Sequence, residues 1–466
     1  MAQNVLLYIA DSMRADALGC YGQALSVTPN IDRVAERGCV FDAAYTTVAQ
    51  CAPARASLLS GLYPSRHHVP ANGIHLAPHL SAAHRFSGSH TTAWYGHWHL
   101  GPERDRYGFA ENVYVRGGTD CPVAEDEYRR FLTERGRDVD RFPYCPDESF
   151  ANGAGRSRLP ADEYFGSFLA DRAESALERY AADGRRFFLA VSDFLPHFAF
   201  VAPAPYDTMF DPTDIELPVA CGTEYENGPA SYHAWREKKN KQFKLSENEL
   251  RRMWAHYLGM CRLVDHNFGR LVAALDRLGL ADSTTVVFLS DHGEMLGAHG
   301  LLHKGPGFYR EQMRIPFVFA GPDVAPSRRV GQPVSIVDTF PTLAGLSGVP
   351  VPDGLDGHSL APLLDPDTEA PASIDRDAVI AEYHTQSGDP YPLRAIFTDR
   401  YKYHWAQWDH EELFDLGRDP EELQNVADEN EYASTKHDLK SRLADELHRR
   451  SDPVASLIAR TYSGNS

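Results

Sequence analysis

Asn4-Val-Leu-Leu-Tyr-Ile-Ala10 is a nearly unbroken apolar run that stops at Asp11. Its length suits a strand, and without polar alternation both faces must be covered, as in the centre of a parallel sheet. Two later runs end in the same way. Arg186 to Asp193 leads into Phe194-Leu-Pro-His197, and Thr284 to Ser290 leads into Asp291. Thr91 to Tyr95, ahead of Gly96, and Ile315 to Ala320 read as further strands. Helical spacing separates them, over Asp32 to Arg37, Ala161 to Ala182 and Glu247 to Leu278. The last carries Met253, Tyr257, Met260, Val264 and Phe268 on one stripe. Strands alternating with helices predict an α/β sandwich around a mostly parallel sheet. Asp11, His197 and Asp291 each follow a strand's C-terminal end, where open α/β sheets place ligands.

Residues 51–61, Cys-Ala-Pro-Ala-Arg-Ala-Ser-Leu-Leu-Ser-Gly, carry the densest chemical signal. Pro53 suits a first helical turn, and Gly61 can end the helix in a left-handed conformation. Cys51 therefore sits at a helix N-terminus, where backbone N–H groups and the dipole favour anions. Arg55 adds a fixed positive charge one turn on. Alone, so short a pattern would describe a structural cysteine beside a turn.

It does not stand alone. Cys51-x-Pro53-x-Arg55 with the Leu59-Ser60-Gly61 ending resembles the sulfatase family of the alkaline-phosphatase-like superfamily. Thr28-Pro-Asn-Ile-Asp32, Gly96-His-Trp-His-Leu-Gly101, Leu195-Pro-His197, Ser290-Asp-His-Gly-Glu294, His299-Gly-Leu-Leu-His-Lys304-Gly and Glu412-Leu-Phe-Asp-Leu-Gly-Arg-Asp-Pro420 follow in the family's order. The resemblance implies an alkaline-phosphatase-like sandwich with a small C-terminal antiparallel sheet-and-helix domain. The linker-like composition of residues 365–377 places the two units at 1–365 and 378–466. Ala378 to Tyr383, Leu393 to Thr398 and Tyr401 to Trp405 read as strands of the second unit, and Tyr432 to Arg449 as its helix.

The implied reaction is sulfate ester hydrolysis by formylglycine, made from Cys51 by a formylglycine-generating enzyme. As a hydrated aldehyde, residue 51 offers one hydroxyl to attack sulfur and a second to expel sulfate. By resemblance, Asp11, Asp291, His292 and the modified residue 51 hold a divalent metal. Hard oxygen ligands suit Ca²⁺, the first expectation, or Mg²⁺ or Mn²⁺. Ser12 stands where many relatives have a second aspartate, so the site offers one carboxylate fewer. His97 replaces the family's usual lysine and is expected at the anion, with a charge that depends on pH. His99 matches the histidine that takes the hydrate proton. His197 is expected at the ester oxygen, protonating the leaving group, and Lys304 at the anion and the leaving oxygen. Asn72 is a further substrate-binding candidate, although Asn72-Gly73 is also a turn signal. His299 and His303 are expected in supporting roles.

Two other readings stay open. A phosphonate or phosphate ester hydrolase on the same scaffold fits the changes at Ser12 and His97. A non-catalytic binder of sulfated glycans fits Arg55 and Lys304. The irregular stretches 102–160 and 203–245 are expected to select the alcohol part of a small-molecule or saccharide ester, with Arg104, Arg106, Arg129, Arg130 and Trp235 as candidates.

Composition narrows the setting. The 466 residues, 43% of them hydrophobic, can bury a large core. Formal charge is −19, with eight lysines against 38 arginines. Such an acidic chain is a poor partner for nucleic acid or anionic membranes. A halophilic source and GC-rich codons both produce this balance. The seven cysteines are widely spaced without C-x-x-C, which argues against a disulfide framework or a zinc ribbon. No apolar run approaches the roughly 20 residues that span a membrane. No basic segment followed by an apolar stretch marks a signal peptide, so a cytoplasmic protein is expected. Oligomeric state is left open.

Overall fold

The computed structural model describes residues 4–101, 107–115, 126–137, 144–221, 228–240, 245–368, 373–386, 389–407 and 409–460. Arg104 and Arg106 lie outside them. The opening run is strand β1 (Asn4–Ala10), buried along its whole length. The other strands of its sheet are β2 (Gly38–Phe41), β3 (Thr91–His97), β4 (Glu111–Val115), β5 (Phe187–Ser192), β6 (Thr284–Ser290), β7 (Phe317–Ala320) and β8 (Arg328–Val330). They lie in the order β8-β2-β7-β6-β1-β5-β3-β4. β1 is parallel to both β5 and β6, with Ile9 opposite Ser192 and Ala10 opposite Ser290. β7 runs antiparallel to β6 and β2. The expected mostly parallel sandwich is present, with β1 near its middle.

The two-residue period of a strand divides β1 between two cores. Leu6, Tyr8 and Ala10 pack with helices α1 (Pro29–Glu36), α3 (Phe165–Asp183) and α4 (Glu247–Arg277). Val5, Leu7 and Ile9 face the other way, with α2 (Cys51–Ser60) and α5 (Thr339–Leu346). Full burial of one such side chain contributes about 1.5–3 kcal/mol. α4 starts at a capping box in which Ser246 Oγ accepts the Glu249 N–H and Glu249 accepts the Ser246 N–H.

A second, antiparallel sheet holds β9 (Ala378–Gln386), β10 (Asp389–Thr398), β11 (Tyr401–Ala406) and β12 (Glu412–Asp415) in sequential order. Helix α6 (Ala433–Arg449) covers it through Leu439, Leu443 and Leu447 against Ile380, Ile396 and Tyr403. This sheet is tied to the first unit by buried polar contacts. The Glu382 carboxylate accepts the Ser65 N–H at 2.7 Å and the Ser65 hydroxyl at 2.9 Å, just beyond α2. Lys402 Nζ donates to the Phe308 carbonyl at 3.1 Å.

The stretches expected to be irregular hold some regular structure: β4, a helix over Glu127–Glu134 and a short strand over Ala154–Arg156 in the first, and a helix over Ala230–Asn240 in the second. Among the described residues no helix is long and apolar enough to cross a membrane.

Candidate active site

Three adjacent strands build the floor of the site. The Asp11 N–H donates to Leu195 O at 3.0 Å, and the Asp291 N–H donates to Ala10 O at 3.1 Å. The pairing of β1 with β5 and β6 thus delivers Asp11, the 193–197 turn and Asp291 to one edge. Gly96 allows β3 to join them. A Cβ there would lie 2.0 Å from Ser192 O, and its φ of +112° suits glycine.

The fourth side is the N-terminus of α2. Cys51 Sγ lies 3.3 Å from His292 Nε2 and 3.7 Å from Asp11 Oδ1, to which it donates. Lys304 Nζ donates to Cys51 Sγ at 3.2 Å and to Ser12 Oγ at 3.3 Å, and lies 3.9 Å from Asp11 Oδ1. Burial opposes its charge, but Cys51, Asp11 and Asp291 outweigh that and raise its pKa.

Arg55 is fully buried and its guanidinium is fully engaged. Nε donates to Asp291 Oδ2 at 2.9 Å and Nη2 to Asp11 Oδ2 at 3.0 Å. Nη1 donates to Ser192 Oγ at 2.5 Å and to His97 O at 3.2 Å. The arginine therefore fixes both carboxylates and balances their charge. The cation beside Cys51 is Lys304.

Asp11, Cys51, Asp291 and His292 present ligand atoms within 4.8 Å of one another, all buried. His292 Nδ1 donates to Gly293 O at 2.8 Å, so the lone pair of Nε2 faces the carboxylates when the ring is neutral. Nε2 is 3.7 Å from Asp291 Oδ1 and 3.9 Å from Asp11 Oδ1. This donor set fits a divalent cation. The misfit is the thiol, a soft ligand among hard ones, and an oxygen at residue 51 would remove it.

His97 is 1% exposed, and neither ring nitrogen has a hydrogen-bond partner. Its Nε2 is 3.8 Å from Asp11 Oδ2. Burial, with His99 and Arg55 nearby, holds its pKa well below the usual imidazole range. The environment therefore favours the neutral imidazole, in contrast to the fixed charge of a lysine. His99 is exposed, with its ring 4.3 Å from that of His97. His197 Nδ1 donates to the neighbouring Phe198 O, leaving Nε2 as its free position. Burial and the Lys304 charge push His197 down to about 3.

Asn72 is used structurally. Its Oδ1 accepts the Ala52 N–H at 2.9 Å and so caps α2, whose Gln50 makes no side-chain cap. His299 is buried against Tyr309, with Nε2 3.5 Å from Glu311, and His303 packs edge-on to Phe198. Trp235 is 4% exposed, in a cluster with Tyr232, Met295 and Tyr309, and it packs onto Gly305. It cannot meet a sugar there. Arg130 pairs with Glu127 at 4.0 Å.

Two contributors were not singled out from sequence. Ser192 receives Arg55, and Tyr144 reaches the site from residue 144. The Ser192-Asp193 pair repeats Ser290-Asp291 at a strand end, which is a usable signal for Ser192. Asp193 itself lies outside the metal cluster. It accepts from Tyr8 Oη at 2.9 Å and from the Leu195 N–H at 3.0 Å.

The strand-edge cluster and the alkaline-phosphatase-like fold define a hydrolase scaffold, and comparison with known proteins makes it specific. The Sulfatase family model matches residues 3–349, and the model for the C-terminal part of N-sulphoglucosamine sulphohydrolase matches residues 297–449. The chain belongs to the sulfatase family. It is 29% identical to an ulvan-active sulfatase of Formosa agariphila, over 97% of this chain and 82% of that protein. It is 32% identical to the multifunctional alkaline phosphatase superfamily protein PehA of Trinickia caryophylli, over 94% of both. Among solved structures, the phosphonate monoester hydrolase of Agrobacterium radiobacter superposes with a TM-score of 0.81 at 27% identity, covering 96% of each chain.

Proposed function

We propose that this protein hydrolyses sulfate esters, with residue 51 as the nucleophile after conversion of Cys51 to formylglycine. The single observation that carries the reading is the placement of Cys51 Sγ, 3.2 Å from Lys304 Nζ and inside the Asp11–Asp291–His292 cluster. Asp11, Asp291, His292 and residue 51 would hold a divalent ion, Ca²⁺ first, with Mg²⁺ or Mn²⁺ as alternatives. When bound, that ion supplies positive charge to the ester oxygens. The hydrated aldehyde supplies a hydroxyl where the thiol stands.

The chain's own residues do the rest. Arg55 holds Asp11 and Asp291 in place. Lys304 Nζ binds the ester anion beside the nucleophile position. Neutral His97 lends a ring nitrogen to the same anion. His99 takes the proton of the attacking residue. His197 Nε2 carries a proton to the leaving oxygen once the bound anion offsets the Lys304 charge. Residues 1–365 form the catalytic domain and 378–466 a C-terminal subdomain that braces α2 and the Lys304 loop. A formylglycine-generating enzyme is the implied partner, and small-molecule or saccharide esters are the substrate class. A cytoplasmic location is part of the proposal.

Peptide mass spectrometry across residue 51 tests the modification, which lowers the mass by about 18 Da when thiol becomes aldehyde. An active protein with an unmodified thiol would reject it. A second reading, phosphonate or phosphate ester hydrolysis, is favoured by the lowered pKa of His97 and by the likeness to the Agrobacterium enzyme. Parallel assays with nitrophenyl sulfate and nitrophenyl phenylphosphonate separate the two. Clear preference for the phosphonate overturns the sulfatase assignment.

A further inference from the structure

Tyr144 comes from a stretch far from the catalytic strands in sequence, yet its hydroxyl lies under the histidine turn. It donates to His197 O at 2.7 Å and to Phe198 O at 3.1 Å. Phe198 O is also the acceptor for His197 Nδ1. One carbonyl thus joins the tyrosine hydroxyl to the His197 imidazole. The rings are ordered as well. Phe194 stacks on His197 at 4.7 Å and 21°, and Tyr144 stacks on Phe194 at 5.7 Å and 29°. Tyr144 is itself held, because Ser157 Oγ donates to its carbonyl at 2.8 Å.

We propose that Tyr144 is a positioning residue for His197: it fixes the carbonyl that selects the imidazole tautomer and aims Nε2 at the leaving oxygen. This rests on the reading above that His197 serves the leaving group. A hydrogen bond from Nδ1 to a carbonyl requires a proton on Nδ1 and leaves Nε2 for proton transfer. If the carbonyl shifts, the ring can turn, and a misplacement of about 1 Å costs up to about a hundredfold in rate.

The test compares Tyr144→Phe, His197→Ala and the double variant on two esters, 4-nitrophenyl sulfate and a primary alkyl sulfate. Nitrophenolate leaves with little help from an acid, whereas an alkoxide needs one. Tyr144→Phe keeps the ring, so its thermal midpoint is expected to stay close to that of the parent. Its kcat on the alkyl ester is expected to fall about 10- to 100-fold, against less than about threefold on the nitrophenyl ester. KM should not follow kcat. In the His197→Ala background the tyrosine substitution should add no further loss. Equal losses on both esters, no loss on either, or an additive loss in the double variant would overturn the role of Tyr144. If His197→Ala alone leaves both rates unchanged, the assignment of His197 fails and the proposal falls with it.

Discussion

Ser12 Oγ donates to Asp11 Oδ1 at 3.0 Å while accepting from Lys304 Nζ at 3.3 Å. The hydroxyl therefore links a carboxylate of the proposed metal cluster to the cation beside Cys51. The Ser12 N–H also donates to Asp291 Oδ1 at 3.2 Å, so residue 12 touches both acids. A carboxylate at this position would add charge next to the proposed ion. Its φ of +65° is one that aspartate adopts more readily than most residues. Ser12→Asp is expected to tighten divalent-ion binding by at least about tenfold. Calorimetric titration of the metal-stripped protein reads this directly, and weaker binding would contradict it.

Chelation should remove activity, and added Ca²⁺, Mg²⁺ or Mn²⁺ should restore it. Loss of a ligand carboxylate in Asp291→Asn is expected to lower kcat/KM by about a hundredfold or more. If chelator and substitution both leave the rate unchanged, the Asp11–Asp291–His292 cluster does not serve the reaction.

Arg55 is a structural counter-ion as much as a site residue. Arg55→Met would leave two buried carboxylates without the guanidinium that bridges them, and with Lys304 as the remaining cation at Asp11. Breaking a buried pair in this way costs about 3–5 kcal/mol. Denaturant unfolding should show that loss, and a saturating divalent ion should recover part of it. A variant as stable as the parent would mean the carboxylates relax elsewhere.

Asn72 separates two ideas by kinetics. As the cap of α2 it should contribute about 1 kcal/mol to stability, and Asn72→Ala should lower kcat by loosening the turn that carries residue 51. As an anion ligand it should instead raise KM. A raised KM at unchanged kcat and stability would restore the substrate-binding role.

The Glu382 carboxylate governs acid stability at the junction of the two sheets. Burial alone would raise its pKa. The hydrogen bond from His384, the charge of Arg394 and the Ser65 contact outweigh that and hold it down to about 2. A depressed carboxylate stabilises the fold above its unfolded pKa, near the usual 4.5, and that contribution fades as pH falls toward 2. Glu382→Gln should therefore cost up to about 3 kcal/mol at neutral pH, with the difference from the parent shrinking below pH 4.5. Thermal midpoints of both proteins across that range provide the check. A constant difference would place the effect in packing.

The strands that carry Asp11, His197 and Asp291 were legible because a buried parallel strand writes its burial into a continuous apolar run. Helix α2 was legible because Pro53 and Gly61 mark its ends. Strands β2, β4 and β8 carry no such run, since they are short and lie towards the sheet's edges, where pairing follows the fold more than local preference. β12 lies inside the Glu412-Leu-Phe-Asp415 motif, and four residues are too few to show a strand's period. The direction of Arg55, toward two carboxylates, depends on partners 44 and 236 residues away. Trp235 looked like a sugar platform because an aromatic in a polar stretch does not reveal what will cover it. Tyr144 leaves no local mark, because its contact forms only when residue 144 meets a turn 53 residues downstream.

All ten residues of α2, including Pro53 and Arg55, are buried in the finished fold. Substrate needs only a narrow approach to residue 51, whereas the proposed modifying enzyme would have to reach a residue on a helix buried along its whole length. If Cys51 is converted as proposed, its maturation is bound to a moment in the chain's life. It belongs to the interval between synthesis and closure of the two sheets around this helix. On that reading, the active fraction of a preparation would record a race between modification and folding.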